Sequence, residues 1–179
     1  MKGNNGSGNN PSRDGWRTPK KLFDILHSQY NFSFDCCASS DNAKCEKYST
    51  NFEQVFFIDG KAWMNPPFSK AKAMFYHFFK IVKHGVAIYR CDNFETDRWQ
   101  DAILPFCDWV FIPRGRVEYE GQDAPGARFP SALIGIGVEP PKGIDGYIMT
   151  AANTAWSGLV ESGRTLPAEV VALESVEPA

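Results

Sequence analysis

Ala62-Trp63-Met64-Asn65-Pro66-Pro67-Phe68-Ser69 is a short apolar run that ends on an amide and two prolines. Each proline ring fixes its own φ and removes a backbone N–H. Pro66 also biases Asn65 toward an extended backbone. Residues 61–64 therefore read as a short strand that delivers Asn65 at its carboxyl end, the edge where open α/β sheets hold ligands. The Asn65 side-chain carbonyl and the Pro66 peptide carbonyl form two converging acceptors, and Phe68 adds a flat ring nearby. That set suits a planar amino group, whose two N–H bonds are accepted while its ring is stacked. The same residues also fit an ordinary Pro-Pro turn at a strand end. The flanking sequence separates the two readings.

Upstream, Trp16-Arg17-Thr18-Pro19 reads as a helix start, with Thr18 as N-cap and Pro19 as first helical residue. Leu22, Phe23, Leu26 and Tyr30 recur at helical spacing and predict an amphipathic helix over residues 20–30. A backbone held open by Thr-Pro beside a tryptophan also suits the wall of a cofactor pocket. Residues 31–35 alternate apolar and polar and end on Asp35, which predicts a short strand. A run of small and polar residues follows, Cys36 to Lys44, and small side chains let a ligand approach the backbone. Tyr48 to Phe52 reads as a loop and residues 55–58 as a short strand closed by Asp59-Gly60.

Downstream, Ser69 is the expected cap of a helix whose apolar face is Ala71, Met74, Phe75, Phe78, Phe79 and Val82, with Gly85 as its terminating glycine. Residues 86–91 read as a buried strand. Trp99, Ile103 and Leu104 read as helical, and residues 108–113 as another strand. Val117-Glu118-Tyr119, a glycine-rich connection from Gly121 to Gly126 and a final core strand over 131–137 complete the pattern, the last two segments as a hairpin with a long loop. Beyond Glu139 the pattern fades.

At 179 residues, 43% hydrophobic and 22% charged, the chain has the composition of a soluble single domain. No apolar run approaches the ~20 residues of a membrane span, so no membrane partner is expected. The amino terminus is polar and carries no secretory signal. Residues 1–12 read as disordered, 13–160 as the domain and 161–179 as an acidic tail. Cys36, Cys37, Cys45, Cys91 and Cys107 are odd in number and lack a disulfide framework, which suits a reducing cytoplasm. No second Cys/His pair has zinc spacing, so no metal is expected. Charge is uneven: residues 1–90 sum to +6 and residues 91–179 to −8. The half that holds Asn65 can thus meet a polyanion while the whole chain stays acidic.

Trp16-x-Thr18-Pro19, Phe34-Asp35-x-x-Ala38-Ser39-x-x-Asn42-Ala43-Lys44-Cys45, Tyr48-x-Thr50, Asn65-Pro66-Pro67-Phe68-Ser69 and Gly115-Arg116-Val117 together resemble the phage-type DNA N6-adenine methyltransferase (Dam) family, in order and spacing from about Trp16 to Val138. The resemblance implies an α/β, reduced Rossmann-like methyltransferase fold: a mostly parallel sheet with a C-terminal antiparallel hairpin. It implies S-adenosyl-L-methionine as cofactor, adenine in DNA as substrate, and a phage- or prophage-encoded protein in the bacterial cytoplasm. It places Asn65, Pro66, Pro67 and Phe68 at the adenine. Trp16, Thr18, Pro19, Asp35, Ala38, Ser39 and Asn65 would surround the cofactor. Lys70, Lys72, Arg114 and Arg116 are the candidates for DNA phosphate contacts.

The chain departs from the family pattern in two ways. It is too short for a large target-recognition insertion, so no target sequence is implied. Only 29 residues separate Asp35 from Asn65, too few for two further βα units. The acid that grips the cofactor ribose therefore has three candidates, Glu46, Glu53 and Asp59. Methylation of RNA or of a protein amide is the alternative within enzymes. A degenerate, non-catalytic module that binds DNA or a partner is the alternative outside them.

Overall fold

The computed structural model describes residues 14–121 and 129–150. The expected disordered segment 1–12, the acidic tail 161–179 and most of the glycine-rich connection lie outside them. In chain order the elements are α1 (Lys20–Tyr30), β1 (Phe34–Asp35), β2 (Lys47–Tyr48), β3 (Ala62–Met64), α2 (Ala71–Ile81), β4 (Gly85–Arg90), α3 (Asp97–Gln100), β5 (Trp109–Pro113), β6 (Ser131–Ile136) and β7 (Gly146–Thr150), with 3₁₀ turns at Phe52–Gln54 and Phe68–Lys70. One seven-stranded sheet has the order β2-β1-β3-β4-β6-β5-β7. β1 pairs parallel with β2 and β3, and β3 with β4. β6 lies antiparallel between β4 and β5, and β7 antiparallel outside β5. Five of the seven strands therefore run one way, and only β6 and β7 run against them.

Side-chain alternation builds two cores, one on each face of the sheet. Trp63, Val86, Ile88, Trp109, Phe111 and Leu133 join α1 through Phe23, Leu26 and Tyr30. Their neighbours in the same strands, Ala62, Met64, Ala87, Tyr89, Val110 and Ile134, join α2 through Met74, Phe75 and Phe78, and Trp99 of α3. A period of two in strands and 3.6 in helices puts both stripes against the sheet. Each fully buried large side chain, Trp63, Phe75 and Leu26 among them, contributes roughly 1.5–3 kcal/mol of transfer free energy.

Several expectations give way to tertiary contacts. Helix α1 keeps its expected bounds, but Pro19 is its N-cap, not Thr18. The Glu120 carboxylate accepts the Lys20 N–H at 3.0 Å and does the capping from a distant loop. Asn31 closes α1 in a left-handed conformation, φ 53°, so β1 begins later than expected. Ser69 does not cap α2, whose N-cap is Lys70. Gly85 belongs to β4 rather than ending α2; a Cβ there would lie 2.7 Å from the Ala62 carbonyl oxygen.

Residues 55–58 form no strand, because β1 and β3 already have a partner on each side; Phe56 and Phe57 stand exposed. The helix at Trp99 stops at Gln100, short of Ile103 and Leu104. Val117-Glu118-Tyr119 is not a strand, and β6 pairs with β4 and β5 instead. β6 is not the last strand, since β7 follows it.

Candidate active site

Strands β1, β3, β4 and β5 run in one direction, so Asp35, Asn65, Arg90 and residues 114–116 share one edge of the sheet. An open cleft of about 240 Å³ lies there, walled by Cys37, Ala38 and Ser39 beyond β1, by Glu53, and by Asn65 and Pro67 beyond β3. A narrow recess of about 30 Å³ continues from it, lined by Trp16, Thr18, Asp35, Lys44, Trp63 and Asn65 among others. Asp14, Cys37, Asn42 and Asn65 line both, so the two form one depression.

Asn65 is fixed by the segment that precedes α1. Its amide Nδ2 donates to the Trp16 carbonyl at 2.9 Å. That bond occupies the amide nitrogen and leaves Oδ1 without a protein donor among the described residues. Asp14 completes the attachment. Its carboxylate accepts the Ser69 N–H at 3.0 Å and the Ser69 hydroxyl at 2.5 Å. The loop 65–69 is thus held at both ends by residues 14–16. Asp14→Ala is expected to release its far end. Loss of a charge-assisted pair in a solvated position costs about 1 kcal/mol, or roughly fivefold faster exchange of the Ser69 amide, read by hydrogen–deuterium exchange.

Asp35 is buried. Its carboxylate accepts the Cys37 N–H at 3.3 Å and the Lys44 N–H at 3.0 Å. Burial pushes the carboxyl above its ordinary range, and the two N–H bonds pull partly back. Asp35 therefore folds the turn that carries Ala38 and Ser39. Inside that turn the Asn42 side-chain oxygen accepts the Ser39 N–H at 2.7 Å. The Ser39 hydroxyl first, then Arg17 at 2.6 Å, hold Asp41 below the usual carboxylate range. Cys37 borders the cleft beside Met74, and burial drives its thiol far above the ordinary range. It is a neutral wall, not a nucleophile.

Trp16, Thr18, Asp35, Ala38, Ser39, Asn65 and Pro67 meet at this depression, as does Lys70. Pro19, Pro66 and Phe68 do not line it. Pro66 is buried. Phe68 is half-buried among Trp16, Tyr89, Tyr119 and Phe129, which it meets at steep angles between 62° and 81°. Lys72 turns to Asp97 and Asp101 at 2.8 and 3.2 Å, which compensates its charge. Arg114 and Arg116 are exposed at the same sheet edge beyond β5. Sequence reading missed Asp14, whose only signal is an acid two residues ahead of Trp16. Of the three ribose-acid candidates, only Glu53 borders the cleft. Among the described residues, no group of His, Cys, Asp and Glu is arranged to hold a metal, and no helix is long and apolar enough to cross a membrane.

No curated protein matches the chain. A family model does, over residues 6–128, which hold both walls of the cleft and the Asn65 loop. With more than half of its length matched, the chain belongs to the Dam family, described as DNA N-6-adenine-methyltransferase.

Proposed function

We propose that the chain methylates N6 of adenine in DNA, with S-adenosyl-L-methionine as methyl donor. The observation that carries the reading is the Asn65 amide. Its nitrogen is spent on the Trp16 carbonyl, and its oxygen is left over at the wall of a cleft on the carboxyl edge of the sheet. Five co-directional strands with β6 inserted antiparallel support a reduced, Rossmann-like methyltransferase sheet, within a domain proposed to span residues 13–160. Free cysteines throughout the described residues suit a bacterial cytoplasm, where a phage or prophage gene would be expressed.

Two features of the depression fit the cofactor. Ala38 and Ser39 keep the cleft floor low, so a ligand can lie against the turn after β1. Thr18, 1% exposed, borders the narrow recess with its hydroxyl unpartnered among the described residues, as a polar ligand there would require. Glu53 is the carboxylate in reach of a ribose at the cleft's other wall. Bound there, the cofactor supplies an electrophilic methyl group. Glu53→Gln is expected to raise its KM about tenfold, with kcat changed far less, the loss of one charge-assisted pair at about 1.4 kcal/mol. Initial rates over a cofactor series check it.

The lone pair of N6 is delocalised into the adenine ring, so the amine is a poor nucleophile. Asn65 Oδ1 accepts one of its two N–H bonds, and the peptide carbonyl of Pro66, a residue buried behind the cleft wall, is the acceptor left for the other. They draw electron density to nitrogen and favour its pyramidal form. The proline-locked backbone holds both acceptors in place before the base arrives, so no reorganisation is needed at the reaction. An amide is too weak a base to keep the proton that N6 then sheds, and water takes it. A paired adenine cannot reach the edge of the sheet and is flipped out of the duplex, at a few kcal/mol. Lys70 at the cleft, with Arg114 and Arg116 along the same edge, are the proposed phosphate contacts.

Labelled S-adenosyl-L-methionine offered with DNA, RNA and protein in parallel tests the reading. Label is expected in DNA, on N6 of adenine. Label in RNA or protein alone, or none at all, would overturn it.

A further inference from the structure

Phe129 lies in a setting built for a planar ring. The Trp16 indole stacks on it at 5.6 Å between centroids and 11° between planes. The Arg90 guanidinium lies over it at 4.8 Å. Phe68 meets it edge-on at 5.5 Å and 80°, and Tyr119 leans against it at 5.9 Å. Arg90 is itself oriented by Asp92, whose two oxygens take Nε and a terminal nitrogen at 2.7 and 2.6 Å. A face-to-face indole and an overlying guanidinium are what stack on a nucleobase in single-strand binders. The slot adjoins Asn65 directly, because the Trp16 carbonyl is the atom that holds the Asn65 amide.

One atom in this slot lacks a partner. Trp16 is 7% exposed, and its indole Nε1–H is buried with no acceptor among the described residues. Phenylalanine has no atom to offer it. A purine or pyrimidine carries ring nitrogens or carbonyls that do.

We infer that the slot between Trp16, Arg90 and Phe68 is the site of the flipped nucleobase, and that Phe129 fills it when no DNA is bound. The inference rests on the adenine reading above and deepens it: Trp16 supplies the stacking face, and Phe68 walls the slot edge-on. A base that enters exchanges one ring for another against the same indole. The stacking given up with Phe129 is regained, and the Trp16 N–H gains an acceptor it lacked. Phe129 therefore tunes base affinity by competition, without touching the reacting atoms.

A short single-stranded oligonucleotide with one 2-aminopurine reads this without the cost of unpairing. Quenching of the analogue reports its stack on the indole, and titration gives Kd. Phe129→Ala is expected to lower Kd about fivefold and deepen the quench, since the competing ring is gone. Trp16→Phe keeps a ring but loses the N–H, and is expected to raise Kd severalfold. If Phe129→Ala does not melt cooperatively, Phe129→Leu, of similar volume without a plane, carries the same expectation. A folded Phe129 variant with unchanged or weaker binding would sink the inference. Methyl transfer by the unmodified chain is measured alongside. Transfer with no 2-aminopurine response removes the slot and leaves the methyltransferase reading. The reverse result removes that reading and leaves the slot.

Discussion

Asn65→Ala is expected to lower methyl transfer to DNA by about 10²–10³-fold, the usual cost of removing one preorganised hydrogen-bonding group at a reacting atom. The substitution deletes one of the two acceptors that hold N6, and it also frees the Trp16 carbonyl. The stability cost is small, about 1 kcal/mol for one partly exposed hydrogen bond, so thermal unfolding should remain cooperative with a midpoint lowered by only a few degrees. Single-turnover incorporation of labelled methyl separates chemistry from product release. Asn65→Asp sharpens the test. Its carboxylate still accepts from N6, but it has no N–H for the Trp16 carbonyl and presents an oxygen there instead. Activity between that of the unmodified chain and that of Asn65→Ala is the expected outcome. Full activity in Asn65→Ala would remove the amide from the mechanism.

The largest expected effect on stability lies on the other side of the sheet's centre. Gly135 in β6 pairs with Val86 of β4 and with Trp109 of β5, so it has no free edge along which to shift. A Cβ at Gly135 would meet the Trp109 ring at 2.0 Å. The indole is pinned by its own Nε1–H, donated to the Val138 carbonyl at 2.6 Å. Gly135→Ala must therefore break that bond and move a buried ring, or part β6 from β5. Overpacking of this kind costs about 3 kcal/mol or more. Urea unfolding followed by circular dichroism should show the midpoint fall sharply. Trp109→Phe, which shortens the ring at the clash, is expected to recover part of the loss when combined with Gly135→Ala. Additive losses would mean that the two residues do not compete for the same space.

Strong local patterns were legible in the sequence. The 3.6-residue spacing of Phe23, Leu26 and Tyr30 gives α1 with its observed bounds. Asn65 falls at the carboxyl end of β3, beside the turn after Asp35, where the Pro-Pro pattern puts it. What the sequence hid depends on distant partners. β2 and β7 are edge strands of two and five residues without a buried alternating face, so they have little hydrophobic periodicity to read. Thr18 and Ser69 are good local caps, yet Glu120 takes over at the start of α1, and Asp14 holds Ser69 in the 3₁₀ turn ahead of α2. Phe56 and Phe57 look like core by residue type; with β1 and β3 already flanked, they find no place in the sheet. Lys72 has the spacing of a surface cation at the site, but the two aspartates that compensate it lie on α3 and just beyond it. Asp14 is visible only once the chain has brought it to Ser69.

The attachment of residues 14–16 to the loop 65–69 also bears on how the chain reaches its native state. The bonds from Asp14 to Ser69 and from Trp16 to Asn65 span 55 and 49 residues. Closing loops of that size costs entropy that only a nearly assembled sheet can offset. Refolding should therefore restore helix and sheet before it restores the reaction centre, so competence to act on a base arrives as the final step of folding.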